Sequence, residues 1–165
     1  MRTRRCMLRL LVTSVLASVM TLAHAQSADE PSDEVAPVPA RFEAVGDGTV
    51  LDKNTNLIWA GKDNGGDITW ADAQGYCQTT GAGWFLPSTD DLLSLYTPGI
   101  ANQEGCLGKQ SCNVTPMIEV TGLTSWSAES NAAGSWYVYF IDGKKYSVDA
   151  TRKPQGKRAL CVRRP

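Results

Sequence analysis

GAGWFLPSTDDLLSL, Gly81–Leu95, decides the fold. Gly81 and Gly83 make a turn. Pro87 holds the preceding Trp84-Phe85-Leu86 stretch extended, because the proline ring crowds the residue before it out of the helical region. Ser88 and Asp91 then have capping-box spacing, in which a hydroxyl accepts a free N–H of the first helical turn and a carboxylate reaches back to the cap. A helix is predicted over Asp90 to Tyr96, with Leu92, Leu95 and Tyr96 on its buried face. Further along, WYVYFIDGKKYSV (Trp136–Val148) reads as a strand over Trp136 to Ile141, a tight Asp142-Gly143 turn and a strand over Lys145 to Val148. Arg158 to Arg163 is a closing strand that carries Cys161.

Working outward, Thr124 to Ala128 is another strand. Thr49 to Asp52 and Leu57 to Ala60 flank Lys53-Asn54-Thr55-Asn56 as a hairpin. Thr69 caps a helix with Asp72 three residues on, and Trp70, Ala73 and Cys77 share one face of it. That helix ends by Thr80-Gly81. Thr97 to Gly122 is a long, mostly irregular connection. The fold class is α+β, with two short helices and a twisted, mainly antiparallel sheet.

Residues 1–25 read as a signal peptide: Arg2, Arg4, Arg5 and Arg9 precede an apolar run from Leu10 to Leu22 that ends in Ala23-His24-Ala25. Arg4-Arg5 also fits a twin-arginine signal, but ordinary unfolded export is favoured because disulfides form only after the chain leaves the cytoplasm. No apolar run reaches the ~18 residues of a membrane span. The expected location is the periplasm or exterior of a bacterium. Residues 26–40, QSADEPSDEVAPVPA, are an acidic, proline-rich linker expected to be disordered, and residues 41–165 form one domain.

Cleavage would remove His24, the only histidine, and with it Ser-His-Asp and Cys-His catalysis, His-ligated zinc and a histidine pH switch. The mature chain would hold 12 Lys and Arg (16 less the 4 arginines of the signal) against 17 Asp and Glu, a net charge of −5. The imbalance is local. Lys144 to Arg164 holds eight basic residues against Asp149 alone, +7, which leaves −12 for the rest.

Four cysteines in an exported chain imply two disulfides, with three pairings open. Spacing favours Cys106 with Cys112, in one irregular loop, and Cys77 with Cys161. In the chain-entropy model the long bridge contributes up to ~4.5 kcal/mol and the short one up to ~2.4.

The order GDGTVLDKNTNLIW, WADAQGYC, GWFLPSTDDL, SWSA, WYVYFIDG and CVR resembles the family of the C-terminal domain of the bacterial collagen-like adhesin Lcl, over Arg41 to Arg164. Phe85 stands where that family commonly has arginine. The resemblance implies a C-type-lectin-like fold, similar also to formylglycine-generating enzymes, in which an early helix is joined by disulfide to the final strand. Cys77 and Cys161 suit that joint. It also implies binding of sulfated polysaccharide and leaves a homo-oligomer open, although this chain has no G-X-Y repeat.

Lys144, Lys145, Arg152, Lys153, Lys157 and Arg158 are the candidate ligand-binding residues, since clustered cations on a hairpin and its neighbouring loop attract a polyanion. The expected partner is an anionic polysaccharide or another envelope polyanion, with no nucleic acid. The alternative is a structural or protein-interaction module on which the same charges solvate the surface. Trp136, Tyr137, Tyr139 and Tyr146 could stack on sugars, but a central strand buries both faces, so core packing is the expectation for them. Trp59, Trp70, Trp84 and Trp126 are expected in the core as well. Asp47 with Asp52, and Asp63 with Asn64 and Asp67, lack the spacing of a calcium loop and read as turn and capping residues. No metal, no cofactor and no catalytic residue is expected.

Overall fold

The computed structural model of the protein describes residues 40–100, 112–151 and 155–165. Among these residues eight strands form two four-stranded sheets rather than the single sheet expected, and two helices accompany them. The first is built from β1 (Phe42–Gly46), β2 (Thr49–Asp52), β3 (Leu57–Ala60) and β8 (Val162–Arg163), in the order β1-β2-β3-β8 and antiparallel throughout. The second is built from β4 (Thr124–Asn131), β5 (Gly134–Tyr139), β6 (Lys144–Val148) and β7 (Lys157–Arg158), in the order β6-β5-β4-β7. Its β4–β7 pair is parallel.

Both helix starts follow the capping logic of the sequence. Thr69 accepts the Asp72 N–H at the head of α1 (Trp70–Thr80), and Ser88 and Asp91 complete a reciprocal capping box at α2 (Thr89–Leu95). Glu129, from β4, takes a further free donor at α2 by accepting the Thr89 N–H at 2.8 Å. Leu92 and Leu95 of α2 pack with Val50, Leu57 and Trp59 of the first sheet and with Val138 of the second. The main core therefore joins elements of both sheets to α2. A second cluster gathers Ala73, Cys77, Leu86, Trp126, Ala159 and Cys161 around the disulfide.

That disulfide joins Cys77 of α1 to Cys161, just before β8, with Cα atoms 5.4 Å apart and 84 residues of separation. Cys112 is disulfide-bonded as well. Cys106, the partner expected for it, lies outside the described residues, as do the signal and the linker up to residue 39.

Several local expectations are corrected. The closing strand from Arg158 to Arg163 is divided, because Lys157–Arg158 joins the second sheet and Val162–Arg163 the first, with Ala159, Leu160 and Cys161 buried in the crossing between them. β1 was not anticipated as a strand; it pairs with β2 through the Gly46-Asp47-Gly48 turn, where all three residues have positive φ. The β5–β6 turn spans Phe140 to Gly143 instead of two residues. Gly143 is required there twice over: its φ is +64°, and a Cβ would lie 2.4 Å from the Tyr96 ring.

Candidate functional site

Side chains alternate across a strand and pair with their cross-strand partners, so register decides which residues of the second sheet share a face. One row across the strands runs Lys157, Thr124, Tyr139, Lys144; the next runs Trp126, Tyr137, Tyr146. These residues lie on one face. Ser125 and Val138, on the opposite face, are buried. At an interstrand spacing of ~4.8 Å, Lys144 and Lys157 stand three strands and ~14 Å apart at their Cα atoms.

The Trp126 end of the face is covered. Trp126 is buried with α1 residues and donates its indole N–H to the Ile68 carbonyl at 2.7 Å. Tyr137 meets Trp126 edge-on, with centroids 5.9 Å apart, and stacks on Tyr146 at 5.8 Å. Beyond Tyr137 the surface opens into a cleft of about 280 Å³, lined by Thr124, Tyr137, Tyr139, Tyr146 and Lys157. Tyr146 is 39% exposed, and Tyr137 and Tyr139 are half-buried. The core assignment thus holds for Trp59 and Trp126 and fails for Tyr146, because β6 is an edge strand with mostly exposed side chains.

Lys157 lies within the aromatic ring set, its Nζ 4.5 Å from the Tyr137 centroid and 5.6 Å from that of Trp126. Burial lowers its pKa, opposed by the charge of Asp67. Burial raises the pKa of Tyr137, helped by the charge of Asp142, while Tyr146 is raised chiefly by its hydrogen bond to Asp142 at 2.6 Å.

Arg158, the neighbour of Lys157, points the other way. It is 7% exposed, ion-pairs with Asp67 and donates from Nε to the Thr121 hydroxyl at 2.9 Å. Asp67 also accepts the Gly156 N–H at 3.0 Å, so Arg158 and Asp67 together hold the segment that delivers Lys157. Gly122 permits this, since a Cβ there would approach Arg158 Cγ to 2.7 Å. Arg158 was expected on an exposed patch and is instead a buried clasp. Lys144 and Lys145 are both exposed, but alternation puts them on opposite faces, and Lys145 lies over Trp136 with Nζ 5.6 Å from the ring centroid. Of the six basic candidates, Lys144 and Lys157 share the aromatic face, while Arg152 and Lys153 lie outside the described residues.

The candidate calcium carboxylates all have protein partners. Asp47 accepts from the Thr49 hydroxyl, Asp52 pairs with Arg41, Asp63 accepts from Thr121 and Gly65, and Asp67 pairs with Arg158. Among the described residues no group of three or more His, Cys, Asp or Glu is placed to hold a metal ion, and no helix is long and apolar enough to cross a membrane.

A disulfide-stapled α+β domain that displays an aromatic sheet face flanked by lysines defines the class. The family model described as the Lcl C-terminal domain matches residues 48–163, and the chain belongs to that family. The match runs from the β1–β2 turn to the end of β8, and so takes in the second sheet, all of the first but β1, and the disulfide. No curated protein matches the chain at a significant level.

Proposed function

We propose that this chain is an exported, non-catalytic binding domain with a C-type-lectin-like fold that recognises sulfated or other anionic glycans in an adhesin-like role. The observation that carries the reading is the row Lys157, Thr124, Tyr139, Lys144, which sets two cations at the ends of one partly aromatic row across the sheet. Among the described residues neither ammonium group has a carboxylate in salt-bridge contact, so both are available to a polyanion. The two sites differ in character. Lys144 is exposed and screened by solvent, whereas half-buried Lys157 gives a stronger and more directional contact.

Heparin chromatography of the mature protein tests this. Retention is expected at ~0.1 M salt and loss by ~1 M, as the Debye length falls from ~10 to ~3 Å. Replacing Lys144 and Lys157 together with glutamate should abolish retention without unfolding the domain. Binding should also fade as pH rises, at a value below the 10.5 of an ordinary lysine, because Lys157 loses its proton early. No retention by the native protein, or undiminished retention by the double variant, would leave the protein-interaction module as the better reading.

A further inference from the structure

Charge alone does not account for this surface. A site for a featureless polyanion needs cations spread along a groove, yet the described residues that line the cleft beside Lys157 are three tyrosines, one threonine and a single lysine. Two of those tyrosines are stacked with ring planes inclined by only 27°, and the outer one, Tyr146, lies on the edge strand. Its hydroxyl is held by Asp142, which fixes the ring's orientation. A held aromatic ring offers a flat apolar surface at low entropic cost. The axial C–H face of a pyranose is the complementary surface, and it leaves the equatorial hydroxyls at the ring's edge for polar contacts.

Resting on the glycan-binding reading above, we infer that the cleft is a subsite for one hexuronate ring, which stacks on the Tyr139 and Tyr146 side of the cleft and directs its carboxylate to Lys157. Three features select this ligand. The volume of about 280 Å³ suits one or two sugar rings and not a long segment of chain. A single ammonium group in a half-buried setting matches a single carboxylate, and among the described residues no arginine guanidinium lines the cleft to take a sulfate in bidentate fashion. A uronate also carries its carboxylate bonded directly to a ring carbon, so stacking and ion pairing can be satisfied by the same residue. Lys144, at the far end of the row, then meets an anionic group on a neighbouring residue of a chain that crosses the strands.

The test uses the mature chain and three soluble probes in titration calorimetry: a β-1,4-linked glucuronate hexamer, the matching neutral glucose hexamer, and a linear hexaphosphate that carries charge without rings. The glucuronate hexamer should bind at one site, at least about tenfold more tightly than either of the others, a difference of ~1.4 kcal/mol. Tyr146→Ala should weaken glucuronate binding about tenfold, as loss of an aromatic anchor does, and leave hexaphosphate binding unchanged. Tyr146→Phe, which keeps the ring and removes the bond to Asp142, should retain most of the affinity and controls for folding. Lys157→Gln should reduce discrimination between the charged and neutral sugars to the roughly two- to fourfold that Lys144 supplies. Equal binding of glucuronate and hexaphosphate, or a Tyr146→Ala variant with native glucuronate affinity, overturns the subsite while heparin retention still supports the broader reading. Failure of the native protein to bind heparin overturns both.

Discussion

The two sheets have four strands each and opposite uses of charge. In the first, the charged residues that matter are turned inward: Asp52 is fully buried, and its carboxylate accepts from Arg41 Nε at 2.8 Å and Nη2 at 2.6 Å, from the Thr55 hydroxyl and from the Asn54 N–H. Arg41 donates onward to the Ser94 carbonyl and so ties the start of the domain to α2. In the second sheet Lys144 is exposed and Lys157 half-buried, and they flank half-buried and exposed tyrosines. Paired, desolvated charge holds structure in place, whereas cations without a carboxylate in contact mark a surface that can receive one. The division is sharpest at two successive residues. Lys157 faces the cleft while Arg158 is buried against Asp67, although both belong to the same basic run in the sequence.

The most disruptive way to test this division is to remove what lies between the sheets. Cys77→Ser with Cys161→Ser opens the bridge that links α1 to the crossing from β7 to β8. A loss of ~2–5 kcal/mol in unfolding free energy is expected, read by urea denaturation of the variant. Both sheets should melt together in native and variant protein, since the main core contains residues of both. If the variant instead melts in two steps, the sheets are separate cooperative units and the core has been misjudged.

A smaller effect is confined to the first sheet. Arg41→Ala leaves the buried Asp52 carboxylate with only its hairpin donors and should cost ~2–3 kcal/mol, less than the full figure for a broken buried pair because Arg41 is 26% exposed. Its pH signature has a definite sign. Burial would raise the Asp52 pKa, but the hydrogen bonds from Arg41 and Thr55 lead the effects that hold it below 3.8. A depressed folded-state value means that the contribution is complete above the unfolded value and disappears as pH falls through the folded one. The native and Arg41→Ala proteins should therefore differ in stability at neutral pH and converge in the acid range below 3.8. Glycan binding at neutral pH should be the same for both, and a change in binding would show that the first sheet supports the cleft.

How much of this was legible in the sequence depends on whether the signal was local. Both helix caps and the β2–β3 hairpin rest on residues within three or four positions of one another, and each was readable before the fold was known. The Cys77–Cys161 bridge was reachable because few pairings exist. The fate of Lys157 and Arg158 was not, because it depends on Asp67 and Thr121, which are far away in the chain, and on which sheet a two-residue strand joins. The exposure of Tyr146 was hidden for a related reason: an alternating run such as KKYSV does not say whether its strand is central or at an edge. Alternation did hold one unused clue. The strand read over Lys145 to Val148 begins one residue earlier, at Lys144, and two adjacent residues of a strand cannot both belong to one face.

That clue supplies the finest test of the division, between two neighbouring lysines that are both exposed and carry the same charge. Lys144 pairs with Tyr139 in the row that contains Lys157, whereas Lys145 pairs with Val138, whose side chain is buried on the other face. Lys144→Gln should weaken binding of a glucuronate hexamer about two- to fourfold, as fits an exposed cation whose interaction is worth under ~1 kcal/mol. Lys145→Gln should leave it unchanged within error, having lost only a contact with the Trp136 ring. Both variants lower the net charge by the same amount, so long-range attraction falls equally and the difference between them reports the face alone. Repeating the titrations at ~0.5 M salt should erase the Lys144 effect while most of the Lys157 contribution survives, because half-buried charges are screened less. Equal losses from Lys144→Gln and Lys145→Gln would mean that the ligand wraps the edge of β6 instead of lying across the strands.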